Sequence, residues 1–186
     1  MADETSYLKG KLILDGGNLA RSFFHRTVAL ICNHDEDGAF GLVLNRDTGD
    51  KVEDVLNEDV PEQLGGRHVF LGGPVQPGAL SYLYSDDYLP EANVMPGVNV
   101  DHSLENLLAL GESFSKTQKL RVFAGYSGWS PGQLEGEMER DSWLVHPATI
   151  DLIFNTDPAD LWKKIISQMG PQYRIMSEAP DDLSWN

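Results

Sequence analysis

The sequence predicts an α+β domain built on a mixed, largely antiparallel β-sheet. Two β-rich runs, residues 27–33 and 40–45, flank the polar segment HDEDGA, as is typical of an antiparallel hairpin. Helical segments occur singly between strands and do not form the regular alternation of a βαβ array. At 186 residues the chain can bury a core, and we expect one domain, 1–186, with its core at about 7–170.

One helix is predicted in the first half of the chain, over residues 50–58. Asp50 can cap this helix, and Val52, Val55 and Leu56 share one face. The other segments are β-rich, and they predict strands at 7–14, 27–33, 40–45, 68–72 and 79–85.

Two capped helices are predicted in the second half. Ser103 caps the first, over 103–112. Asp157 caps the second, over 157–170, in which Pro158 takes the first helical position. The remaining segments are a loop at 86–97, strands at 119–125, 142–146 and 150–154, and an acidic segment at 171–186 that is either an ordered flap or a loose tail.

Charge excludes some classes of partner. The formal net charge is −15, whereas nucleic-acid affinity comes mostly from Lys and Arg. Direct binding to nucleic acid or to anionic lipid is therefore not expected.

No apolar run is long enough to span a membrane. The single cysteine, Cys32, lies in an apolar run and is predicted to be buried and not a reactive thiol. These features are typical of a cytoplasmic protein.

The stretch 123–145, FAGYSGWSPGQLEGEMERDSWLV, combines three kinds of local signal. Its order is strand, glycine loop and helix. Ser130 fits an N-cap, Pro131 the first helical position and Gln133 the third, as in a capping box. A fold could need this corner for stability alone, and that interpretation stays open.

Three functional interpretations compete with the structural one. A serine nucleophile at Ser127 is disfavoured because Trp129 stands where a nucleophile elbow needs glycine. A phosphate-binding loop lacks its Gly-Lys-Ser/Thr ending. A cradle for a small polar or anionic ligand is coherent, with Tyr126 and Trp129 as walls and Gln133 and backbone amides as donors. A second glycine turn, GGP at 72–74, would face the first across a cleft.

No cofactor or metal is predicted. Residues 33–38, NHDEDG, mimic half of an EF-hand loop, but Leu44 occupies the position that needs a bidentate Glu. The five histidines lack paired metal-ligand spacing.

The chain resembles the AlgH/YqgE family of bacterial proteins from about Lys11 to Met169. The segments that carry the resemblance are FHRTVALIC, GLVLNR, FLGGPV, SLENLLAL, AGYSGWSPGQLEGE, DSWLV and IDLIFNTDPADLWKKI. The resemblance implies a bifurcated mixed sheet that curls into a partial barrel, with helices outside. Many relatives have alanine at the place of Ser127, which further disfavours a nucleophile there. The family is often labelled as transcriptional regulators, although no DNA-binding motif supports that label.

The resemblance also implies a shared site. Its matched positions are Asn45, Gly72, Gly73, Tyr126, Trp129, Gly132, Gln133 and Glu137.

Three functions follow as hypotheses. The first is a non-enzymatic binding or regulatory domain for a small polar or anionic ligand. The second is a hydrolase in which Glu137 or Glu135 acts as general base. The third is a protein-interaction module with an exposed apolar patch and an unknown protein partner.

Overall fold

A computed structural model describes residues 7–85, 92–113, 115 and 118–180. It confirms the α+β class, with a mostly antiparallel nine-stranded sheet and helices. The strands are β1 (Lys11–Asp15), β2 (Val28–Asp35), β3 (Gly38–Val43), β4 (Asp47–Lys51), β5 (His68–Leu71), β6 (Val75–Ser85), β7 (Asn99–Asp101), β8 (Lys119–Trp129) and β9 (Trp143–Pro147). The α-helices are α1 (Val52–Val55), α2 (Glu62–Gly65), α3 (Leu104–Glu112), α4 (Gln133–Glu139), α5 (Pro158–Gln168) and α6 (Pro171–Glu178).

The sheet is mixed and branched, and β8 is the branch point. Its strand order is β4-β5-β8-β3-β2-β1-β9, and β6 adds to β8 off this path. Strand β8 runs parallel to β5 and antiparallel to both β6 and β3. Within the described residues the outer strands β4 and β9 do not pair with each other, so the sheet is not closed into a barrel.

The predicted hairpin is confirmed as β2 and β3. Its strands extend into the predicted loop and leave only residues 36 and 37 between them. The Asp37 N–H donates to Oδ1 of Asp35 at 3.0 Å, which stabilises this tight turn. Strand β1 begins at Lys11, not at residue 7, because Gly10 has a positive φ of 75°.

The glycine loop predicted after residue 125 is wrong, because β8 continues to Trp129. In its second half Ser127, Gly128 and Trp129 pair with β3. Positions 125, 127 and 129 are buried, whereas 124, 126 and 128 are more exposed. This alternation is the period-2 pattern of a strand. The pattern is not visible in the sequence, because glycine and serine and not large apolar residues occupy buried positions 125 and 127. Gly125, with φ of 70°, bends the strand between its two sets of partners.

The helix predicted to begin at Ser130 begins two residues later than expected. Its N-cap is Gly132, with φ of 73°, and Gln133 is its first residue. Half of the predicted capping box forms, because the Ser130 N–H donates to Oε1 of Gln133 at 3.0 Å.

The strand predicted at 150–154 is wrong, because Asp151–Asn155 form a π-helical turn. Oγ1 of Thr149 accepts the Leu152 N–H at 3.2 Å, and the Thr156 N–H donates to the carbonyl oxygen of Asp151 at 2.9 Å. A short apolar run fits a helical turn as well as a strand, so its periodicity did not decide between them.

The prediction of a helix over residues 50–58 is wrong in its bounds and in its N-cap. Asp50 and Lys51 belong to β4, and α1 covers only Val52–Val55. Lys51 pairs with His68 of β5, and its N–H donates to Oδ2 of Asp54 at 3.0 Å. The N-cap is therefore Lys51 and not Asp50.

The two predicted caps in the second half are confirmed. Oγ of Ser103 accepts the Asn106 N–H at 3.2 Å, and Oδ1 of Asp157 accepts the Ala159 N–H at 2.9 Å. Part of the acidic C-terminal segment is the helix α6. Residues 86–91 of the predicted loop and residues 181–186 of that segment lie outside the described residues.

Both faces of the sheet are covered. Leu12 and Leu14 of β1 belong to the larger core cluster, into which α5 places Leu161, Ile165 and Ile166. Ile13 points to the opposite face, where Leu134 of α4 packs with two tryptophans, Trp129 and Trp143. No helix within the described ranges is both long and apolar enough to cross a membrane.

Candidate functional site

A pocket of about 400 Å³ lies where the end of β8, α4 and the start of β9 meet the loop before β2. We call it the tryptophan pocket. Its lining includes Ser22, Phe24, Trp129, Gln133, Glu137 and Trp143. Three of the predicted site residues, Trp129, Gln133 and Glu137, are thus brought together.

The carboxylate of Glu137 organises this pocket. Its Oε2 accepts the indole N–H groups of Trp129 at 2.9 Å and of Trp143 at 2.8 Å. Its Oε1 accepts from Nε2 of Gln133 at 3.0 Å. Hydrogen bonds to an ionised acceptor are stronger than neutral ones, so Glu137 is held in one orientation.

Aromatic rings form the floor of the pocket. The ring centroid of Phe24 lies 6.2 Å from that of Trp129 and 5.2 Å from that of Trp143. The two tryptophan rings meet edge-to-face at 6.2 Å. At these separations the rings contact one another directly. They therefore make a continuous apolar surface beside the Glu137 carboxylate.

Gln133 is both structural and accessible. Its Oε1 accepts from the Ser130 N–H, and its Nε2 donates to Glu137. The residue is nevertheless exposed. A primary amide has two N–H donors, so Nε2 retains a second N–H beyond the one that Glu137 accepts.

The glycines do not face each other across a cleft. The Gly72 N–H donates to the carbonyl oxygen of Ala124 at 3.0 Å, so the two glycine segments are in direct contact. A Cβ on Gly73 would lie 2.1 Å from the carbonyl carbon of Tyr126. These glycines are needed because two backbones approach closely, and this part of the predicted cradle is packed solid.

Ser127 is not placed as a nucleophile. Its side chain is fully buried, and its hydroxyl donates to the carbonyl oxygen of Gly72 at 3.1 Å. Cys32 is 2% exposed, and burial raises the pKa of its thiol, so the prediction of a buried cysteine is confirmed.

The other predicted site residues do not line the tryptophan pocket. Tyr126 packs against Phe40 at a centroid distance of 5.4 Å. Gly132 serves as the N-cap of α4. Oδ1 of Asn45 accepts the Val28 N–H at 2.9 Å and its Nδ2 donates to the carbonyl oxygen of Arg26 at 2.9 Å. Asn45 lines a second pocket, beside α5.

Glu135, the other candidate general base, pairs with a histidine. Its Oε1 lies 3.0 Å from Nε2 of His34, whose side chain is 1% exposed. Nδ1 of His34 accepts the Leu8 N–H at 3.0 Å. That acceptor role places the ring proton on Nε2, which donates to Glu135. Both ring nitrogens are therefore engaged, and His34 of β2 connects α4 through Glu135 to the segment before β1 through Leu8.

Phe24 and Trp143 line the pocket but were not predicted as site residues. Phe24 comes from a segment distant in the chain, so no spacing rule connects it to Gln133 or Glu137. Trp143 lies only six residues after Glu137, and one signal was available for it. A buried indole N–H needs an acceptor, and several acids between residues 135 and 141 are close to Trp143 in the sequence.

The described part of the chain holds no group of three or more His, Cys, Asp or Glu side chains close enough to bind a metal ion.

Comparison with known proteins decides the family. The model of a family described as AlgH-like matches residues 12–174. The chain belongs to this family. A UPF0301 protein of Chlorobium phaeobacteroides is 36% identical over 178 residues, covering 92% of each chain. A UPF0301 protein of Cytophaga hutchinsonii is 33% identical over 185 residues, covering 96% of this chain and 98% of that protein.

Two solved structures share the fold. The solution structure of the AlgH protein from Pseudomonas aeruginosa has a TM-score of 0.75 at 24% identity, covering 98% of this chain and 99% of that one. The crystal structure of a Corynebacterium diphtheriae protein has a TM-score of 0.77 at 20% identity, covering 95% of each chain. The match to the family model confirms the resemblance identified from the sequence.

Proposed function

We propose that this AlgH-like chain is a non-enzymatic cytoplasmic binding protein that takes a small polar ligand in the tryptophan pocket and acts without direct contact to DNA. The observation that carries the proposal is the Glu137 carboxylate, fixed at the wall of a pocket by the indoles of Trp129 and Trp143. A concave site with an apolar floor and a few oriented polar groups is the usual form of a small-molecule site.

The fixed carboxylate selects the class of ligand. An ionised carboxylate only accepts hydrogen bonds, and it repels another anion at short range. We therefore favour a ligand that presents amino, amide or hydroxyl donors to Glu137 and a planar or apolar body to Phe24 and Trp143. An anion is disfavoured at this wall.

The alternative functions have less support. The Glu137 carboxylate is engaged by three donors, and the histidine beside Glu135 is buried with both nitrogens engaged. Three donors leave the Glu137 carboxylate about one lone pair for a ligand, but among the described residues no histidine or second acid lines the tryptophan pocket to complete an acid–base pair. Oε2 of Glu135 has no hydrogen-bond partner but is buried, so it cannot reach a substrate proton. For a protein-interaction module, the large exposed apolar side chains within the described residues are Tyr7, Val55 and Ile175. They lie in the segment before β1, in α1 and in α6, and single exposed apolar residues are normal for a monomer.

A thermal-shift screen with nucleosides, amino sugars and amino-acid amides tests the proposal, with citrate and pyrophosphate as anionic comparisons. A compound that binds only the folded state raises the melting temperature by mass action. We expect a rise with one donor-rich compound class.

Matched variants locate the binding. Gln133→Ala, at an exposed position, and Trp143→Phe, which keeps an aromatic ring but removes the indole N–H, should abolish the rise. Trp162→Phe, on α5 and not among the residues that line the tryptophan pocket, should retain it. A rise that persists in both pocket variants would place the ligand elsewhere, and no rise with any donor-rich compound would contradict the proposal.

A further inference from the structure

The hydrogen bonds of the tryptophan pocket leave one acceptor site and one donor group side by side. An ionised carboxylate has about four acceptor sites. In Glu137 the two indole N–H groups take both sites of Oε2, and Gln133 takes one site of Oε1, so one site of Oε1 remains. Nε2 of Gln133 has a second N–H beyond the one that Glu137 accepts. The remaining acceptor and the remaining donor thus belong to two atoms that lie 3.0 Å apart.

The amide of Gln133 is fixed in one orientation by its two neighbours. The Ser130 backbone N–H can only donate, and it donates to Oε1 of Gln133 at 3.0 Å. The Glu137 carboxylate can only accept, and it accepts from Nε2. Rotating the amide by half a turn would set two donors against each other at Ser130 and two acceptors at Glu137. Gln133 therefore presents an N–H, and not its carbonyl oxygen, beside the carboxylate.

A ligand that fits both positions has an N–H donor next to an acceptor on one planar edge. We propose that the tryptophan pocket binds a free nucleobase or nucleoside, whose ring edge donates to Oε1 of Glu137 and accepts from Nε2 of Gln133. This inference rests on the proposed function and names the ligand class of that site. The edges of the bases carry donors and acceptors side by side. Proteins recognise unpaired bases by hydrogen bonds to such an edge and by stacking on aromatic side chains.

Phe24 offers the ring on which the base stacks. Its side chain is half-buried, whereas Trp129 and Trp143 are 5% and 3% exposed. The plane of the Phe24 ring is inclined by 28° to that of Trp129, so a base on Phe24 continues an existing stack. Stacking on an aromatic ring tolerates any base. The contacts of the edge with Glu137 and Gln133 therefore set the specificity.

The charge of the chain favours a free base or nucleoside over the same base within a nucleic acid. The formal net charge is −15, and a phosphate backbone binds mainly through Lys and Arg. Glu137 is itself an anion at the wall of the pocket, and it repels a phosphate brought close to it. The neutral ring is the part of a nucleotide that this wall attracts.

An NMR titration of the indole N–H signals tests the inference, because two of the indoles belong to the pocket. The Trp129 and Trp143 signals should shift and saturate as adenosine is added. The Trp162 signal is the internal reference, since this indole donates to the carbonyl oxygen of Asp15, and it should not move. A response of Trp162 without Trp129 and Trp143 would contradict the assignment to this pocket.

Adenosine analogues test the donor and the acceptor one at a time. Purine riboside lacks the amino donor that Glu137 accepts, so it should bind more than about tenfold more weakly. The compounds 1-deazaadenosine and 7-deazaadenosine each lack one of the two ring nitrogens beside the amino group. The one that lacks the acceptor contacted by Gln133 should bind about three- to tenfold more weakly, which identifies the edge. Equal affinities for adenosine and all three analogues would overturn the inference.

A matched pair of variants ties the specificity to Gln133. Gln133→Ala removes the donor and one support of Glu137, so it should weaken adenosine binding more than about tenfold and remove the preference for adenosine over the deaza compound. Gln168→Ala makes the same change at an exposed position at the end of α5, outside the pocket lining, and should change the affinity less than about twofold. Equal effects of the two variants would also overturn the inference.

The same titration separates this inference from the proposed function. An amino sugar or amino-acid amide that shifts the Trp129 and Trp143 signals, when neither adenosine nor cytidine does so, would overturn the nucleobase assignment and leave the proposed function standing. If no donor-rich compound shifts these signals, both fail.

Discussion

Trp129 and Trp143 donate their indole N–H groups to the same atom, Oε2 of Glu137, over 2.9 Å and 2.8 Å. Trp129 ends β8, Trp143 begins β9, and Glu137 lies on α4 between them. One carboxylate oxygen therefore connects three consecutive elements, β8, α4 and β9, by hydrogen bonds. Removing its charge should affect stability as well as the tryptophan pocket.

Glu137→Gln should lower the free energy of unfolding by about 2–3 kcal/mol, because the neutral amide leaves both buried indole N–H groups without a charged acceptor. For a chain of this size that corresponds to a fall in melting temperature of about 5–10 °C. Thermal unfolding followed by circular dichroism measures it. Glu139→Gln, at an exposed position on the same helix, is the control. Indistinguishable melting temperatures for the two variants would show that the carboxylate does not fasten these elements.

Gly73→Ala should prevent folding or cost more than about 3 kcal/mol. An added Cβ would lie 2.1 Å from the Tyr126 carbonyl group and 2.3 Å from the Ser127 nitrogen, and all of these are backbone atoms. Gly78→Ala is the control, since a Cβ there meets nothing within 4 Å. Its unfolding free energy should stay within about 1 kcal/mol of the parent value. Chemical denaturation of both variants makes the comparison, and a well-folded Gly73→Ala protein would contradict the close approach.

Asp101 should confer stability that depends on pH. Burial raises its pKa, but hydrogen bonds from the Asn106 side chain and from the Ser103 and His102 N–H groups outweigh burial, and the net pKa is lowered. A carboxyl whose pKa is lower in the folded state stabilises that state fully above its unfolded pKa, about 4. The stability is lost as the pH falls through the folded value.

The free-energy difference between the parent protein and Asp101→Asn should therefore be constant above about pH 5 and shrink below about pH 4. Urea denaturation across that range measures the difference. Asn106→Ala removes one donor to the carboxylate and so raises its folded-state pKa toward the unfolded value, which should make the pH-dependent part of the stability smaller and complete its loss at a higher pH. A difference that does not change with pH would contradict the lowered pKa.

Elements with local signals were predictable from the sequence. Helix α5 shows its Asp157 cap, its proline and its apolar stripe within a dozen residues. The β2–β3 hairpin likewise depends on two adjacent runs. The second half of β8 was not predictable in this way, because its buried positions include Gly125 and Ser127. Those small residues are needed by the backbone of the neighbouring segment, which no local pattern shows.

The candidate site was likewise predictable only where its residues come from one segment of the sequence. Trp129, Gln133 and Glu137 come from one segment, and the structure places them in one pocket. Trp143 follows Glu137 by six residues, at the start of the next strand, whereas Phe24 joins them only through the tertiary fold. The second pocket, which Asn45 lines beside α5, was not predicted, because its lining comes from residues 25–46, 158–163 and 177–180, which are distant in the sequence.

The position of β8 in the sheet has a consequence for the order in which the chain can fold. Strand β8 lies between β5 and β3, and within the described residues strand pairing joins the two sides of the sheet only through it. A chain emerging from the ribosome can form the β2–β3 hairpin early. Strand β1 has β2 as its first neighbour and gains its second neighbour, β9, only after residue 147 is synthesised. The two sides of the sheet cannot pair through β8 until the ribosome has synthesised residue 129. Until then their edges are open to other chains, so the nascent protein should depend on protection against aggregation for about two-thirds of its synthesis.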